Sequence, residues 1–137
     1  MDRSGSGKFV EVYPAAALKR WGFRDTAKRD TLALANTVFQ RIESWLTTPP
    51  DARDLCRSSR DALDALVAAL IARAGALNLC EPVPEGYRST AAVEGWIALP
   101  ISGSLPMLAN VTTQDSTSSP ETMAGAGSLD SSSAQGG

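Results

Sequence analysis

The sequence predicts an α/β fold, because strand-like and helix-like segments alternate along the chain. Residues 8–14 (KFVEVYP) and 94–100 (EGWIALP) are rich in strand-forming side chains, and each segment ends at a proline. Residues 30–46 repeat apolar side chains at helical spacing, and residues 61–74 (DALDALVAALIARA) become apolar on nearly every side. Two short strands rarely form a stable sheet alone, so the pattern is typical of the second half of a larger α/β domain.

The predicted elements carry start and stop signals of their own. Pro14 suits the first turn of a helix through AAALKRW, which Gly22 can end. Asp30 is a candidate N-cap for the helix over residues 30–46. The Pro49–Pro50 pair is expected to open a loop, and residues 75–93 are expected to be loop-like. The helix over 61–74 is expected to be buried on most sides, with alanines at helical spacing that allow close packing.

Composition divides the chain into three parts. Residues 1–7 are polar and rich in Gly and Ser, and we expect a flexible N-terminus there. Residues 8–108 contain the strand and helix signals and form the predicted folded domain. Residues 109–137 are dominated by Ser, Thr, Gly and Ala, and they bury too little apolar surface to offset the entropy of ordering. A disordered, low-complexity tail is therefore expected.

Composition also excludes several classes of function. No apolar run is long enough to cross a membrane and no signal-peptide core precedes residue 8, so we expect a cytoplasmic protein without a membrane partner. The chain has no histidine, which excludes Ser-His-Asp and Cys-His catalysis. Cys56 and Cys80 cannot supply a four-ligand zinc site and are expected to be buried thiols. Any catalysis would rely on carboxylates, lysines or a metal ion held by oxygen ligands.

Charge is unevenly distributed along the chain. Residues 1–60 carry 11 Lys/Arg and 7 Asp/Glu, whereas residues 61–137 carry 2 and 8. A basic half can bind a polyanion, although a solvated helix surface is the commoner reason for such a bias. The basic residues that could contact a phosphate backbone are Lys19, Arg20, Lys28 and Arg29. The segment SGSGK (4–8) lacks the spacing of a phosphate-binding loop.

Three acidic residues are the candidate functional side chains. Asp61 and Asp64 stand three apart where the apolar helix begins, so they can either cap the helix or share one face and bind a divalent cation. Glu11 lies within the first predicted strand and is the natural third carboxylate. If its neighbouring valines face the core, alternation turns Glu11 outward instead. Glu94 precedes the second strand and is more simply a solvated charge.

Three sequence blocks together resemble a known family. EVYPAAALKRWG (11–22), DALDALVAALIARA (61–74) and EGWIALPISGSLPML (94–108) are similar, in this order, to members of the domain of unknown function 429 (DUF429) family, regarded as predicted nucleases with a ribonuclease H-like fold. The resemblance implies that Glu11 is the acid of the fourth strand and that Asp61 and Asp64 are the acids of the closing helix. It also implies Mg²⁺ or Mn²⁺ as cofactor and a nucleic-acid phosphodiester as substrate.

The sequence also departs from the family pattern. Family members begin with a strand bearing G-x-D, whose aspartate is the central metal ligand, and no such strand precedes Glu11 here. We therefore expect the C-terminal portion of a ribonuclease H-like fold, inactive as a nuclease unless a partner chain supplies the missing strands. The alternatives are a non-catalytic interaction or remnant protein, in which the acids merely cap a helix, and a plain nucleic-acid binder.

Overall fold

The fold is that of a computed structural model, which describes residues 10–26 and 28–110. The described residues form a mixed α/β arrangement in which helices predominate. Its elements are β1 (Glu11–Val12), α1 (Pro14–Arg20), α2 (Thr31–Ile42), α3 (Pro50–Ser58), α4 (Arg60–Ala76), α5 (Arg88–Glu94) and β2 (Ile97–Ala98), with 3₁₀ turns at Glu85–Tyr87 and Leu105–Ala109. The expected flexible N-terminus (1–7) and nearly all of the expected tail (109–137) lie outside the described residues.

The two predicted strands exist and pair with each other. β1 runs parallel to β2, with Glu11 opposite Ile97 and Val12 opposite Ala98. Each strand has two residues, so the strands are much shorter than the strand-like segments 8–14 and 94–100. Beyond β2 the chain forms an antiparallel bridge between Cys80 and Pro100. The small sheet thus joins the start of the described chain to its end.

Helices α1 to α4 enclose the hydrophobic core. α2 packs on α3, α3 on α4, and α1 on α4, and α4 also contacts β1. The helical side chains that are fully or almost fully buried are Ala17, Leu18, Leu34, Ala35, Val38, Phe39, Ile42, Leu63, Val67, Leu70, Ile71 and Ala74. Trp21 is also buried, and its indole Nε1 donates to the Ser104 hydroxyl at 3.0 Å. This contact fastens the end of α1 to the segment that follows β2.

The signals expected at the end of α1 and the start of α2 act as predicted, and α4 ends at an asparagine that was not predicted. The Asp30 carboxylate accepts from the Ala33 N–H at 2.9 Å, which confirms it as the N-cap of α2. Gly22, at φ +89°, closes α1: its N–H donates to the Lys19 carbonyl and the next N–H to the Leu18 carbonyl. Asn78, at φ +59°, ends α4 in the same way.

Two segments expected to be loops contain helices. α3 begins at Pro50, because proline is favoured at the first helical position, where its missing N–H costs nothing. Within residues 75–93, α4 continues to Ala76 and α5 begins at Arg88. The expectation that α4 is buried on most sides was also wrong. Its alanines Ala65, Ala69 and Ala72 are exposed, since the short sheet covers little of the helix.

The N-cap of α4 is Ser59, one residue before the helix. Its hydroxyl accepts from the Ala62 N–H at 3.2 Å. Ser59→Ala is expected to lower the free energy of unfolding by about 1 kcal/mol, because the Ala62 N–H loses its partner. Urea denaturation measures the change. Ser58→Ala is the control, because the Ser58 hydroxyl donates to a carbonyl within α3 and caps nothing, so an equal loss there would contradict the assignment.

Candidate functional site

Glu11 lies on the exposed face of β1. Val10 and Val12 pack against the core, so alternation along the strand turns the Glu11 side chain outward. This is the orientation expected if Glu11 is simply a surface residue. Its carboxylate nevertheless has a specific neighbour, Gly95, which follows α5. A Cβ at Gly95 would stand 2.9 Å from Glu11 Oε1. Gly95 adopts φ +96° and ψ 167°, a conformation essentially restricted to glycine. The turn after α5 therefore leaves room for the Glu11 carboxylate.

Asp61 and Asp64 lie in the first turns of α4. Because Ser59 is the N-cap, the interpretation of Asp61 as the cap was wrong; Asp61 occupies the second helical position, where a carboxylate favourably opposes the helix dipole. Asp61 is exposed, and no hydrogen bond joins its carboxylate to any residue within the described ranges. Asp64 is half-buried and pairs with Arg60, whose Nε donates to Oδ1 at 3.2 Å.

The three acids do not form a metal site among themselves. Over residues 10–26 and 28–110, no three His, Cys, Asp or Glu side chains form a group that could hold a metal ion. Glu11, Asp61 and Asp64 all lie within these ranges. As placed here, these side chains do not fit Mg²⁺ or Mn²⁺, and their assignment as ligands stays a prediction. Glu94 is exposed and ends α5.

An open groove runs beside α1 and the turn that follows it, and we call it the α1 groove. It has a volume of about 1010 Å³. Its polar lining residues are Tyr13, Lys19, Arg24, Asp25, Thr26 and Lys28. Ala15 and Ala16 also line it, and their short side chains keep it open. Among its described lining residues, three cations against one carboxylate make the groove basic.

Backbone geometry holds the wall of the α1 groove. Asp25 adopts φ +52°, and its carbonyl accepts from the Lys28 and Arg29 N–H groups. Thr26 is tied to α4, because Arg60 Nη1 donates to the Thr26 carbonyl at 3.2 Å. The same Arg60 side chain pairs with Asp64. One arginine thus connects the wall of the groove to the helix start that carries the two candidate aspartates.

A second arginine supports the groove from the core side. Arg41 Nη2 donates to the Trp21 carbonyl at 2.9 Å, and its guanidinium lies 4.7 Å from the centre of the Phe23 ring. Phe23 is buried and directly precedes Arg24. The turn that presents Arg24 is therefore anchored by an aromatic side chain rather than left as a free loop.

Four basic residues were candidates for phosphate contact on sequence grounds, and the structure separates them. Lys19 and Lys28 line the α1 groove. Arg20 instead forms an ion pair with Glu81, and Arg29 Nη1 donates to the Thr37 hydroxyl at 3.3 Å. Sequence reasoning missed Arg24, Tyr13 and the anchoring role of Arg60. The sequence signal available for Arg24 was its position two residues after Gly22, the glycine that ends α1.

The two cysteines are free thiols with different exposure. Cys56 is buried, and burial raises its pKa. Cys80 is half-buried, and burial raises its pKa as well. The expectation of buried thiols is confirmed for Cys56 and holds partly for Cys80. A raised pKa leaves little of the reactive thiolate at neutral pH, so neither residue has the features of a catalytic nucleophile.

None of the helices within the described ranges is long and apolar enough to cross a membrane.

Comparison with known proteins places the chain in one family. Neither curated proteins nor solved structures yielded a match. A model of the family described as "Protein of unknown function (DUF429)" matches residues 1–88. This match spans more than half of the chain and includes Glu11, Asp61 and Asp64, and the chain therefore belongs to the DUF429 family.

Proposed function

We propose that this chain is part of a ribonuclease H-like nuclease that hydrolyses nucleic-acid phosphodiesters, with Glu11, Asp61 and Asp64 as its acidic residues. Membership of the DUF429 family and the resemblance of DALDA (61–65) to the closing-helix motif of that fold support the proposal. The observation that carries it is the pairing of Glu11 with Gly95. Gly95 ends α5 in a conformation essentially restricted to glycine, and the space left by its missing side chain is occupied by the exposed Glu11 carboxylate, which remains available to a ligand.

The three carboxylates differ in whether an ion pair already occupies them. Within the described ranges, neither Glu11 nor Asp61 forms an ion pair, whereas Asp64 pairs with Arg60. The side chains of this i,i+4 pair are 32% exposed for Arg60 and 40% exposed for Asp64. Such a pair contributes about 0–1 kcal/mol, so releasing Asp64 for another partner costs little. The arrangement therefore does not commit any of the three acids to a purely structural role.

The proposed site needs a further ligand. Residues 10–26 and 28–110 provide no group of three that could hold a metal ion, so a partner polypeptide is proposed to supply the G-x-D strand of the family pattern. β1 pairs with β2, and its other edge is where a further strand can add. Mg²⁺ or Mn²⁺ at the completed site would supply the activated water and charge stabilisation typical of metal-dependent phosphodiester hydrolysis.

The proposal predicts that the isolated chain does not cleave nucleic acid efficiently. The test incubates the purified chain with single-stranded, duplex and branched substrates in Mn²⁺ and measures product formation on denaturing gels. We expect no cleavage above that of matched blanks. Cleavage that Asp61→Asn abolishes would contradict the proposed incompleteness. Asp51→Asn is the control, because Asp51 is likewise an exposed acid in the first turn of a helix.

A non-catalytic interaction protein is the second candidate function. The observation that favours it is the lack of a three-ligand metal group over the described ranges. The two candidates differ in their dependence on a partner. Adding a polypeptide that carries a G-x-D strand should produce Mn²⁺-dependent cleavage if the first is correct, and Asp61→Asn should remove it. If such an addition produces no cleavage, the interaction role is favoured.

A further inference from the structure

We propose that the α1 groove binds the sugar–phosphate backbone of a single nucleic-acid strand, with the Tyr13 ring stacking against a base. The inference rests on the proposed function for the class of ligand, a nucleic acid. It assigns a surface and residues that the family resemblance does not name. It also makes a separate claim, because binding in this groove requires neither a metal ion nor an intact catalytic site.

The charge of the groove is the first support. The ion pairs within the described ranges join Arg20 to Glu81, Arg53 to Glu43, Arg57 to Asp54 and Arg60 to Asp64. Lys19, Arg24 and Lys28 take part in none of them, and all three are exposed. Arg29, Arg41 and Arg73 are in no ion pair either, but each donates a hydrogen bond. Among the described cations that form neither kind of contact, Lys19, Arg24 and Lys28 therefore lie in the groove and Arg88 lies outside it. Phosphate groups spaced along a strand are the chemistry that such a row of cations recognises.

Tyr13 is the second support, and it favours a single strand over a duplex. Its side chain is 55% exposed and lines the groove. An exposed aromatic ring beside a basic groove is the usual arrangement of proteins that bind single strands, because an unpaired base can stack on the ring. Bases inside a duplex are already stacked on their neighbours and are not offered to a flat side chain in this way.

The position of the groove is the third support. Tyr13 and Thr26 both line the groove. Tyr13 lies two residues after Glu11 in the chain. The Thr26 carbonyl accepts a hydrogen bond from Arg60, which starts α4 and directly precedes Asp61. The groove lining is thus linked to both elements that carry the candidate acids, to β1 through the chain itself and to α4 through the Arg60 hydrogen bond. A strand bound there lies beside the elements on which the proposed chemistry depends.

Fluorescence anisotropy of a labelled oligonucleotide tests the inference. The full chain is titrated into single-stranded DNA or RNA in EDTA, which prevents cleavage. With three phosphate contacts at about 0.7 each, affinity should fall roughly 20-fold between about 50 and 200 mM salt. Lys28→Gln should reduce the slope of log affinity against log salt by about 0.7, and the triple variant Lys19→Gln/Arg24→Gln/Lys28→Gln by about 2.

Matched variants distinguish binding in the groove from a general effect of positive charge on the protein surface. Arg88→Gln removes one exposed cation outside the groove and should leave the slope unchanged. Tyr13→Leu should weaken single-strand binding at least about threefold while leaving the salt slope in place, because stacking does not release counterions. The substituted side chains are exposed, and thermal unfolding followed by circular dichroism checks that each variant remains folded.

The outcomes are distinguishable from those of the proposed function. Wild-type binding that the triple variant retains with the same slope would overturn the groove assignment and leave the nuclease proposal standing. Tighter binding of duplex than of single strands would overturn the choice of a single strand. Groove-dependent binding without cleavage after a G-x-D polypeptide is added would support the groove and count against the nuclease. No binding of any nucleic acid would overturn the inference.

Discussion

Phe39→Ala is expected to lower the free energy of unfolding by about 3–5 kcal/mol, the largest effect of any change considered. Phe39 is 2% exposed and lies on the face of α2 that packs against α3. Its ring supports two guanidinium groups, with Arg53 at 4.8 Å and Arg57 at 5.9 Å from the ring centre. The substitution therefore removes a large core side chain and the surface on which both arginines rest.

Arg53 is a further reason to expect a large loss of stability in Phe39→Ala. Its Nε is buried without a hydrogen-bond partner among the described residues, while its Nη2 pairs with Glu43 at 3.0 Å. Urea denaturation of Phe39→Ala measures the loss, with Tyr87→Ala as control. Tyr87 is 58% exposed, so its removal should cost less than about 1 kcal/mol. Similar losses for the two variants would contradict the placement of Phe39 in the core.

Gly95→Ala is expected to lower the free energy of unfolding by about 1–3 kcal/mol, because alanine is strained at φ +96° and ψ 167°. The added Cβ would also stand 2.9 Å from Glu11 Oε1 and displace the carboxylate. Chemical denaturation measures the total cost. Repeating the substitution in a Glu11→Ala background removes the contact but keeps the backbone strain, so the difference isolates the contribution of the Glu11 carboxylate.

A second glycine provides the matched control. Gly22 also has a positive φ, +89°, but a Cβ there would meet no atom within 4 Å. Gly22→Ala should therefore show backbone strain without a displaced neighbour, and its cost should not depend on Glu11. If Gly95→Ala leaves stability unchanged, or if its cost is the same with and without the Glu11 side chain, the close pairing of the two residues is refuted.

Local signals in the sequence predicted the helices well where a cap and an apolar period agreed. Asp30 and the apolar face of α2 indicate the same helix, and Gly22 ends α1 as expected. The sequence does not predict α3, because adjacent prolines usually open a loop, although the second of them is favoured at a first helical position. The predicted cap of α4, Asp61, lies two residues after the actual cap, Ser59, because both serine and aspartate are favoured as N-caps.

Tertiary features were less accessible from the sequence. The segments around Glu11 and Ile97 were identified as strands, but neither their parallel pairing nor their length of two residues follows from side-chain pattern. The exposure of Ala69 and its neighbours depends on how little sheet is present to cover α4. Alanine tolerates either environment, so composition alone does not decide which way such a stripe faces.

In the candidate site, too, some residues could be predicted from the sequence, whereas the contacts that depend on the tertiary fold could not. Lys19 and Lys28 could be named from the sequence because basic residues cluster there. The groove that contains them could not, because it depends on the left-handed conformation of Asp25 and on the bond from Arg60 to Thr26, a residue 34 positions away. Gly95 gave no sequence signal for its contact with Glu11, since that contact depends on the pairing of β1 with β2.

The central claim is that a nucleic-acid strand lies along the α1 groove, beside the elements that carry Glu11 and Asp61. Backbone amide chemical shifts of the ¹⁵N-labelled chain, followed as a single-stranded oligonucleotide is added in EDTA, test it most directly. The account predicts that the largest changes fall on Tyr13, Lys19, Thr26 and Lys28, with smaller changes at the start of α4. Changes centred on α5 or on the exposed alanines of α4, with the groove unaffected, would contradict it.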